Sequence, residues 1–392
     1  MRTSPAFDDL VASISQTCRS GLDPEALRGA ILPRLRKAVP VDALWWALAD
    51  PSTLLFTRAY REELPPDSGP YFVDNEYLGD DVNKWTELAG QDAGVATLMR
   101  ATRSKPAESA RYRDIFEPLG LEDELRAVLR VQDSCWGYLC LHREASRGGH
   151  AAFSPNEIRF IRRISPHVAE GIRSGLLRQA CERDSPSTAP GLVLIAGDGS
   201  ISGMNQAAER WLDELHGDSD GAGPPAEIAA IAALLRRANP AAPALPQQRI
   251  RTRSGRWAVL HASWMDASPG GADGAGRSAG AEGLHSLEGS VAVIVEEAAA
   301  SDIAPIIMLA YGLTERERTI TGFVCRGSST RVIADRLHLS SDTVQDHLKS
   351  IFLRTGVHSR GELVAAVLGR EYLPRAAAGD RVGRTGFFGA DH

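Results

Sequence analysis

The sequence predicts a multidomain α+β chain: two blocks that mix strands with helices, followed by an all-α domain of four helices. Three observations predict it. The chain has 392 residues, enough for two to four domains at roughly 100–200 residues each. Two stretches, 25–180 and 190–298, carry short apolar or alternating runs broken by turn signals and interleaved with helical periodicity. From residue 313 onward only helical periodicity remains, with capping residues ahead of the apolar stripes.

In the first block, Pro24 to Ala38 is amphipathic. Ala43–Ala49 and Leu54–Tyr60 read as a strand pair turning at Asp50-Pro51, and Glu124–Val131 with Gly137–His142 reads as another. Ser154-Pro155-Asn156-Glu157 places a cap, a first-turn proline and a capping-box glutamate before Ile158, Ile161, Ile164, Val168 and Ile172. The second block opens with Leu192–Ile195, turns at Asp198-Gly199, and returns to Met204. A helix over 206–215 follows, then two strands around Ser254-Gly255 and a last one over Ser290–Glu296. Trp257–Trp264 is apolar enough to be buried on both faces. The polar stretch Cys181–Pro190 and the Gly/Ala/Ser-rich stretch Pro269–Gly289 read as linker and loop, and the tail from Ala376 as frayed.

In the last block, Thr314-Glu315-Arg316-Glu317 is a capping box, and Ile320, Phe323 and Val324 give its helix a core face before Gly327 ends it. A helix over 330–337 follows. His338-Leu339-Ser340 makes a short turn, and Ser340 caps a third helix that stops before Gly356. At 100° per residue Val344, Leu348, Ile351 and Thr355 share one face, while Asp342, Asp346, Lys349 and Leu353 point the opposite way with Gln345 beside them. A short helix anchored by one stripe and polar on the other suits insertion into a DNA major groove. A fourth helix, about 359–368, carries Leu363, Val364, Val367 and Leu368.

This block resembles the C-terminal domain of LuxR-type transcription regulators. The matching residues are Leu313-Thr314, Arg316-Glu317, Gly327, Ile333-Ala334, Leu337, Leu339-Ser340, Thr343-Val344, His347 and Gly356-Val357. The resemblance implies a helix-turn-helix whose third helix enters the major groove and whose fourth pairs two domains on a two-fold site. It makes double-stranded DNA the expected partner, a homodimer the expected assembly, and RNA polymerase a further candidate. Gln345-Asp346 departs from the family, where a lysine is common. Base reading is therefore assigned to Gln345, Asp346 and Lys349, and backbone contact to Thr343, His347 and Arg354. The structural readings stand beside these: Asp342 suits the helix N-terminus by the macrodipole, and Thr314, Glu317 and Ser340 are caps first.

The second block resembles a PAS domain in its strand–Asp-Gly–strand opening and in Asn205-Gln206-Ala207-Ala208. The first resembles a GAF domain in Trp136-Gly137-Tyr138-Leu139 followed by the Phe153-Ser154 helix start. Both resemblances imply sensory domains, and a small-molecule effector. Trp45, Trp46, Tyr60, Phe72, Trp85 and Trp136 are the candidate pocket residues, with plain core packing as the alternative. The expected fold class is thus multidomain α+β, with GAF-like and PAS-like sensory domains followed by an all-α four-helix LuxR-type helix-turn-helix domain. The expected boundaries are an N-terminal helix or leader over 1–24, the GAF-like domain over 25–180, a linker over 181–189, the PAS-like domain over 190–298, a connecting helix over 299–312, the helix-turn-helix domain over 313–372 and a tail over 373–392.

Net charge is −6 overall, but from Pro305 on twelve Lys/Arg face nine Asp/Glu. Bulk charge therefore does not drive DNA binding, and only the C-terminus is basic. The five cysteines have no disulfide or zinc spacing. Val291–Leu313 is interrupted by Glu296, Glu297 and Asp302, too early to span a bilayer. No phosphate loop, helical His-Glu-x-x-His or nucleophile elbow is present. The expectations are a cytoplasmic regulator, not an enzyme, without cofactor, metal or membrane partner. The alternative is a small-molecule-binding or enzymatic GAF protein whose C-terminal helices serve oligomerisation.

Overall fold

The computed structural model describes residues 5–65, 68–92, 94–144, 152–180, 189–215, 223–237, 246–265 and 290–377. Residues 181–188 of the expected linker, the Gly/Ala/Ser-rich loop Pro269–Gly289 and the end of the tail lie outside the described residues. The chain divides into two units, Met1–Ile172 with Ser187–Glu297, and Arg173–Pro186 with Ala298–His392.

The first unit holds two five-stranded antiparallel sheets. Sheet one contains β1 (Ala43–Ala49), β2 (Phe56–Glu62), β3 (Val95–Thr97), β4 (Leu121–Val131) and β5 (Ser134–Glu144), in the order β2-β1-β5-β4-β3. Sheet two contains β6 (Gly191–Ile195), β7 (Ile201–Met204), β8 (Gln247–Arg251), β9 (Trp257–Trp264) and β10 (Val291–Glu297), in the order β7-β6-β10-β9-β8. Counted within each sheet, both orders are 2-1-5-4-3, so the two blocks share one topology.

Sheet one is covered on both faces. On one lie α1 (Pro5–Cys18), α2 (Pro24–Ala38) and α6 (Pro155–Ala180). Asp23 Oδ1 caps α2 by accepting from the Glu25 and Ala26 amides. Ile158, Ile161, Ile164, Val168 and Ile172 of α6 are all buried, as their spacing predicts. Gly137 is required on β5, since a Cβ there would lie 2.5 Å from the Ala47 carbonyl oxygen. On the other face lie α3 (Ser68–Tyr77), α4 (Trp85–Ala89), α5 (Leu98–Ala101) and a π-turn at Tyr112–Phe116. The second strand starts at Phe56, not Leu54, because Asp50 extends the turn. Its carboxylate accepts from the Ser52 amide and hydroxyl, and Leu54 sits at φ 61°.

In sheet two, Asn205 Oδ1 caps α7 (Gln206–Leu215) by accepting from the Ala208 amide, and also accepts from Leu192 on β6. Trp211 is fully buried and donates to the Ala189 carbonyl. β9 is buried on both faces only over Trp257–Leu260; His261 and Ser263 meet solvent on the outer face, and Trp264 is exposed at the strand end.

One helix of this unit belongs to two cores. α8 (Ala226–Arg237) puts Ile228, Ile231, Ala232 and Leu235 into the core of sheet two. Ala229, Ala230, Ala233 and Leu234 pack into the aromatic cluster of sheet one. At 100° per residue these sets fall on opposite sides of the helix. Side chains of the second block also cap the open edge of sheet one. Glu227 accepts from the Ala59 amide at 3.1 Å, Gln248 donates to the Phe56 carbonyl, and Arg249 pairs with buried Asp50. Two backbone groups of edge strand β2, the Ala59 amide and the Phe56 carbonyl, thereby gain partners.

The second unit is a helical cluster: α9 (Ala300–Ala310), α10 (Glu315–Cys325), α11 (Thr330–Leu337), α12 (Ser341–Thr355) and α13 (Arg360–Ala377). Its core joins Ala304, Ile320, Val324, Ile333, Val344, Leu348, Ile351, Leu363 and Val367. No helix of the described residues is long and apolar enough to cross a membrane.

Candidate DNA interface and sensory core

The helix-turn-helix is α11, a turn, and α12. Ser329 caps α11 through the Val332 amide, and Ser340 caps α12 through the Thr343 amide at 3.0 Å. His338 adopts φ 53° between them, a left-handed turn residue, and Gly356 at φ 69° ends α12. The Thr314 capping box forms, and its Glu317 does more than cap. That carboxylate is nearly buried, accepts from the Ser350 hydroxyl at 2.6 Å and faces Arg354 Nε at 3.4 Å, which ties α10 to α12. Burial works against the ionised form of Glu317, but hydrogen bonds from Ser350 and Thr314 and the Arg354 charge hold its pKa below the usual value.

Val344, Leu348, Ile351 and Thr355 are buried, so the predicted inner stripe of α12 is its inner stripe. Thr343, Gln345, Asp346, Lys349, Leu353 and Arg354 are exposed, and His347 is half-buried. The structure brings Asp346 and Lys349 together, Oδ1 to Nζ 2.9 Å. Thr343 Oγ1 lies 2.8 Å from the Ser340 hydroxyl, part of the cap, and Arg354 donates to the Gly312 carbonyl. Thr343 and Arg354 thus have local structural work whatever else they touch.

The six aromatic candidates of the first block divide. Trp45, Phe72 and Trp85 come together with Phe56, Tyr77 and Tyr138 on the α3/α4 face; Trp85 stacks on Tyr138 at 4.5 Å and lies 6.0 Å from Trp45. Trp46 pairs with Tyr60 across β1 and β2, and Arg28 covers the Tyr60 ring at 3.9 Å. Trp136 is fully buried and makes no ring contact with the cluster.

Beside the aromatic cluster is a buried ion network that the sequence reading missed. Glu124 accepts from Arg126 Nε at 2.9 Å and from Arg111 Nη2 at 2.8 Å. Arg126 also binds Glu76 at 2.7 Å, and its guanidinium stacks 4.5 Å from the Trp85 ring. Asp81 accepts from the Arg111 amide and from Asn75. Burial opposes ionisation of Glu124, yet the charges of Arg111 and Arg126 bring its pKa down to about 2. Burial keeps His142 neutral, with its pKa lowered to about 4. Burial also raises the Cys140 thiol well above its ordinary value and Cys135 to about 12, so neither is an activated nucleophile. Glu124, Cys140 and His142 cluster at metal-ligand range, but both Glu124 oxygens already accept from guanidinium groups. The structure reads this trio as part of the ion network. Within it, Arg126 Nη2, Trp85 Nε1, Tyr77 Oη and His142 Nδ1 have no hydrogen-bond partner among the described residues.

The family comparison decides the C-terminal unit: residues 312–367 match the model of bacterial regulatory proteins, luxR family. The C-terminal unit contains a LuxR-family domain. Over 64 residues the chain is 44% identical to a monoamine regulon transcriptional regulator of Klebsiella aerogenes, covering 16% of this chain and 26% of that one. The chain thus spans about a quarter of that relative's length. Among solved structures, the chain is similar to the GAF domain of a phosphoenolpyruvate-protein phosphotransferase from Coxiella burnetii (19% identity, TM-score 0.32, 45% of this chain and 99% of that one). It is also similar to Escherichia coli SdiA (12% identity, TM-score 0.32, 93% and 98%).

Signals for the missed residues were partial. In the LuxR-family domain the capping box marked Glu317 but not its reach to Ser350 and Arg354. Alternation in β4 puts Glu124 and Arg126 on one face, but nothing local announces Arg111 or Glu76.

Proposed function

We propose that the chain is a sequence-specific DNA-binding transcription regulator, cytoplasmic and dimeric on its operator, whose LuxR-family domain answers to the two sheet-bearing blocks. One observation carries the reading: α12 buries a single stripe and turns Gln345, Asp346 and Lys349 outward. Gln345 would pair with adenine, Asp346 would accept from cytosine N4, and Lys349 would donate to guanine. Thr343, His347 and Arg354 would meet the backbone, aided by exposed Arg316, Arg331 and Arg336. The domains are drawn at 25–180, 190–298 and 313–372, with 299–312 as a connecting helix. The shared strand order and the Asn205 cap support a PAS-like second block. RNA polymerase is a further partner, and no catalytic role is assigned.

The input site is placed at Trp45, Phe72 and Trp85. The unpartnered donors Arg126 Nη2, Trp85 Nε1 and Tyr77 Oη support a small-molecule effector there. DNA binding is tested by titrating salt on a site selected from random duplexes. Affinity should fall by about 0.9 log units per log unit of salt for each phosphate neutralised, and Lys349→Ala should weaken binding further. A flat salt response would overturn the reading in favour of an oligomerisation module.

A further inference from the structure

We propose that Leu353 is a specificity-determining residue that reads the 5-methyl group of thymine. The inference rests on the assignment of α12 to the major groove. Leu353 is 85% exposed, the most solvent-open of the exposed large hydrophobic residues described. A lone exposed leucine is ordinary on a protein surface; the place of this one is not. Asp346, Lys349 and Leu353 stand at i, i+3 and i+7, one ridge that covers roughly 10 Å of helix axis. That is about three base steps at ~3.4 Å each. Around this ridge the exposed residues of α12 are polar or charged: Ser341, Asp342, Thr343, Gln345 and Arg354.

The Asp346–Lys349 pair, at 2.9 Å, leaves the ridge with little net charge. Attraction to phosphate therefore has to come from elsewhere, and the ridge is left to discriminate. A side chain with no charge and no hydrogen-bonding atom has one base feature to recognise in the major groove, the thymine methyl. Leu353 supplies that apolar surface at the C-terminal end of the ridge. It carries no part of the packing, since the buried side of α12 is Val344, Leu348, Ile351 and Thr355.

The test uses the full chain and a duplex it selects from a random pool. Each thymine is replaced in turn by deoxyuridine, which removes only the methyl group. The wild type should lose about fourfold in affinity per half-site at one symmetry-related thymine pair, the worth of about one buried methyl. Leu353→Ala should lose a similar factor on the thymine duplex and nothing further at that uracil position. Lys349→Ala should bind more weakly yet keep the uracil effect there. Circular dichroism should show Leu353→Ala folded as the wild type. If the uracil profiles of wild type and Leu353→Ala coincide, the Leu353 role is overturned while the recognition helix stands. A change in self-association of Leu353→Ala without DNA, with coinciding profiles, would mean that it contacts a second copy and would also overturn it. If no sequence is selected, or Lys349→Ala binds as the wild type, the assignment of α12 itself fails.

Discussion

Replacing Glu124 by Gln should destabilise the first unit by about 3–5 kcal/mol, the usual cost of breaking a buried ion pair from one side. The substitution keeps shape and volume and removes one charge. Glu124 is fully buried, and its two oxygens receive Arg126 Nε, Arg111 Nε and Arg111 Nη2 at 2.9, 3.1 and 2.8 Å. An amide offers one oxygen in place of two and turns its NH2 toward a guanidinium. At least one guanidinium N–H then has no acceptor, in a place where water does not reach. The assay is urea unfolding followed by tryptophan fluorescence. All seven tryptophans, Trp45, Trp46, Trp85, Trp136, Trp211, Trp257 and Trp264, lie in the first unit, so the signal ignores the LuxR-family domain. With a slope of roughly 2–3 kcal/mol per molar urea, the midpoint should fall by about 1–2 M. A shift under about 0.3 M, or an upward one, would refute the claim that Glu124 holds the two arginines in place.

Three further outcomes follow from the same contacts. His142 is held neutral with its pKa lowered to about 4 by burial, so its protonation favours the unfolded chain. Its contribution is present above about pH 6.5 and is lost as pH falls toward 4; the stability difference between wild type and His142→Gln should change by ~2 kcal/mol from pH 7 to pH 5. Asp123, raised to about 6 by burial, works in the opposite sense over an overlapping range, so wild type alone should show a shallower slope than that difference. Ser340→Ala removes the α12 cap and should cost about 1 kcal/mol, read as roughly fivefold faster hydrogen exchange at the Thr343 amide; unchanged exchange would mean the cap is dispensable. Ala233→Asp puts a carboxylate at a fully buried position on the side of α8 that faces sheet one; exchange should accelerate in β10 as well as in β1, whereas a change confined to β1 would show that the two cores are independent.

Much of the fold was legible because single stripes and caps are local. The apolar residues of α6, the Asp198-Gly199 hairpin and the caps at Thr314 and Ser340 needed no knowledge of partners. What stayed hidden depended on distant residues. α8 reads as Ala/Ile/Leu nearly all round, with no polar face to give it a phase, because each side meets a different sheet. The candidate pocket residues were grouped by type, but period two sends Trp45 and Trp46 to opposite faces of β1. Only Trp45 reaches Trp85. The ion network joins Arg126 to Glu76 fifty positions away, a long-range pairing that no spacing in the chain announces. On α12 the sequence wheel had the inward stripe correctly, and the Asp346–Lys349 pair follows from their i, i+3 spacing.

The two-sided burial of α8 also sets an order of events at the ribosome. The last strand of sheet one ends at Glu144, and the final residue of α8 is Arg237. At ~5–20 residues per second, translation takes roughly 5–20 s to cover that interval. Throughout it the aromatic face that Ala230 and Ala233 will cover has emerged without its cover. Nascent chains stalled before and after Arg237 should therefore differ in how strongly a chaperone holds the first block, with release coinciding with delivery of a helix encoded in the second.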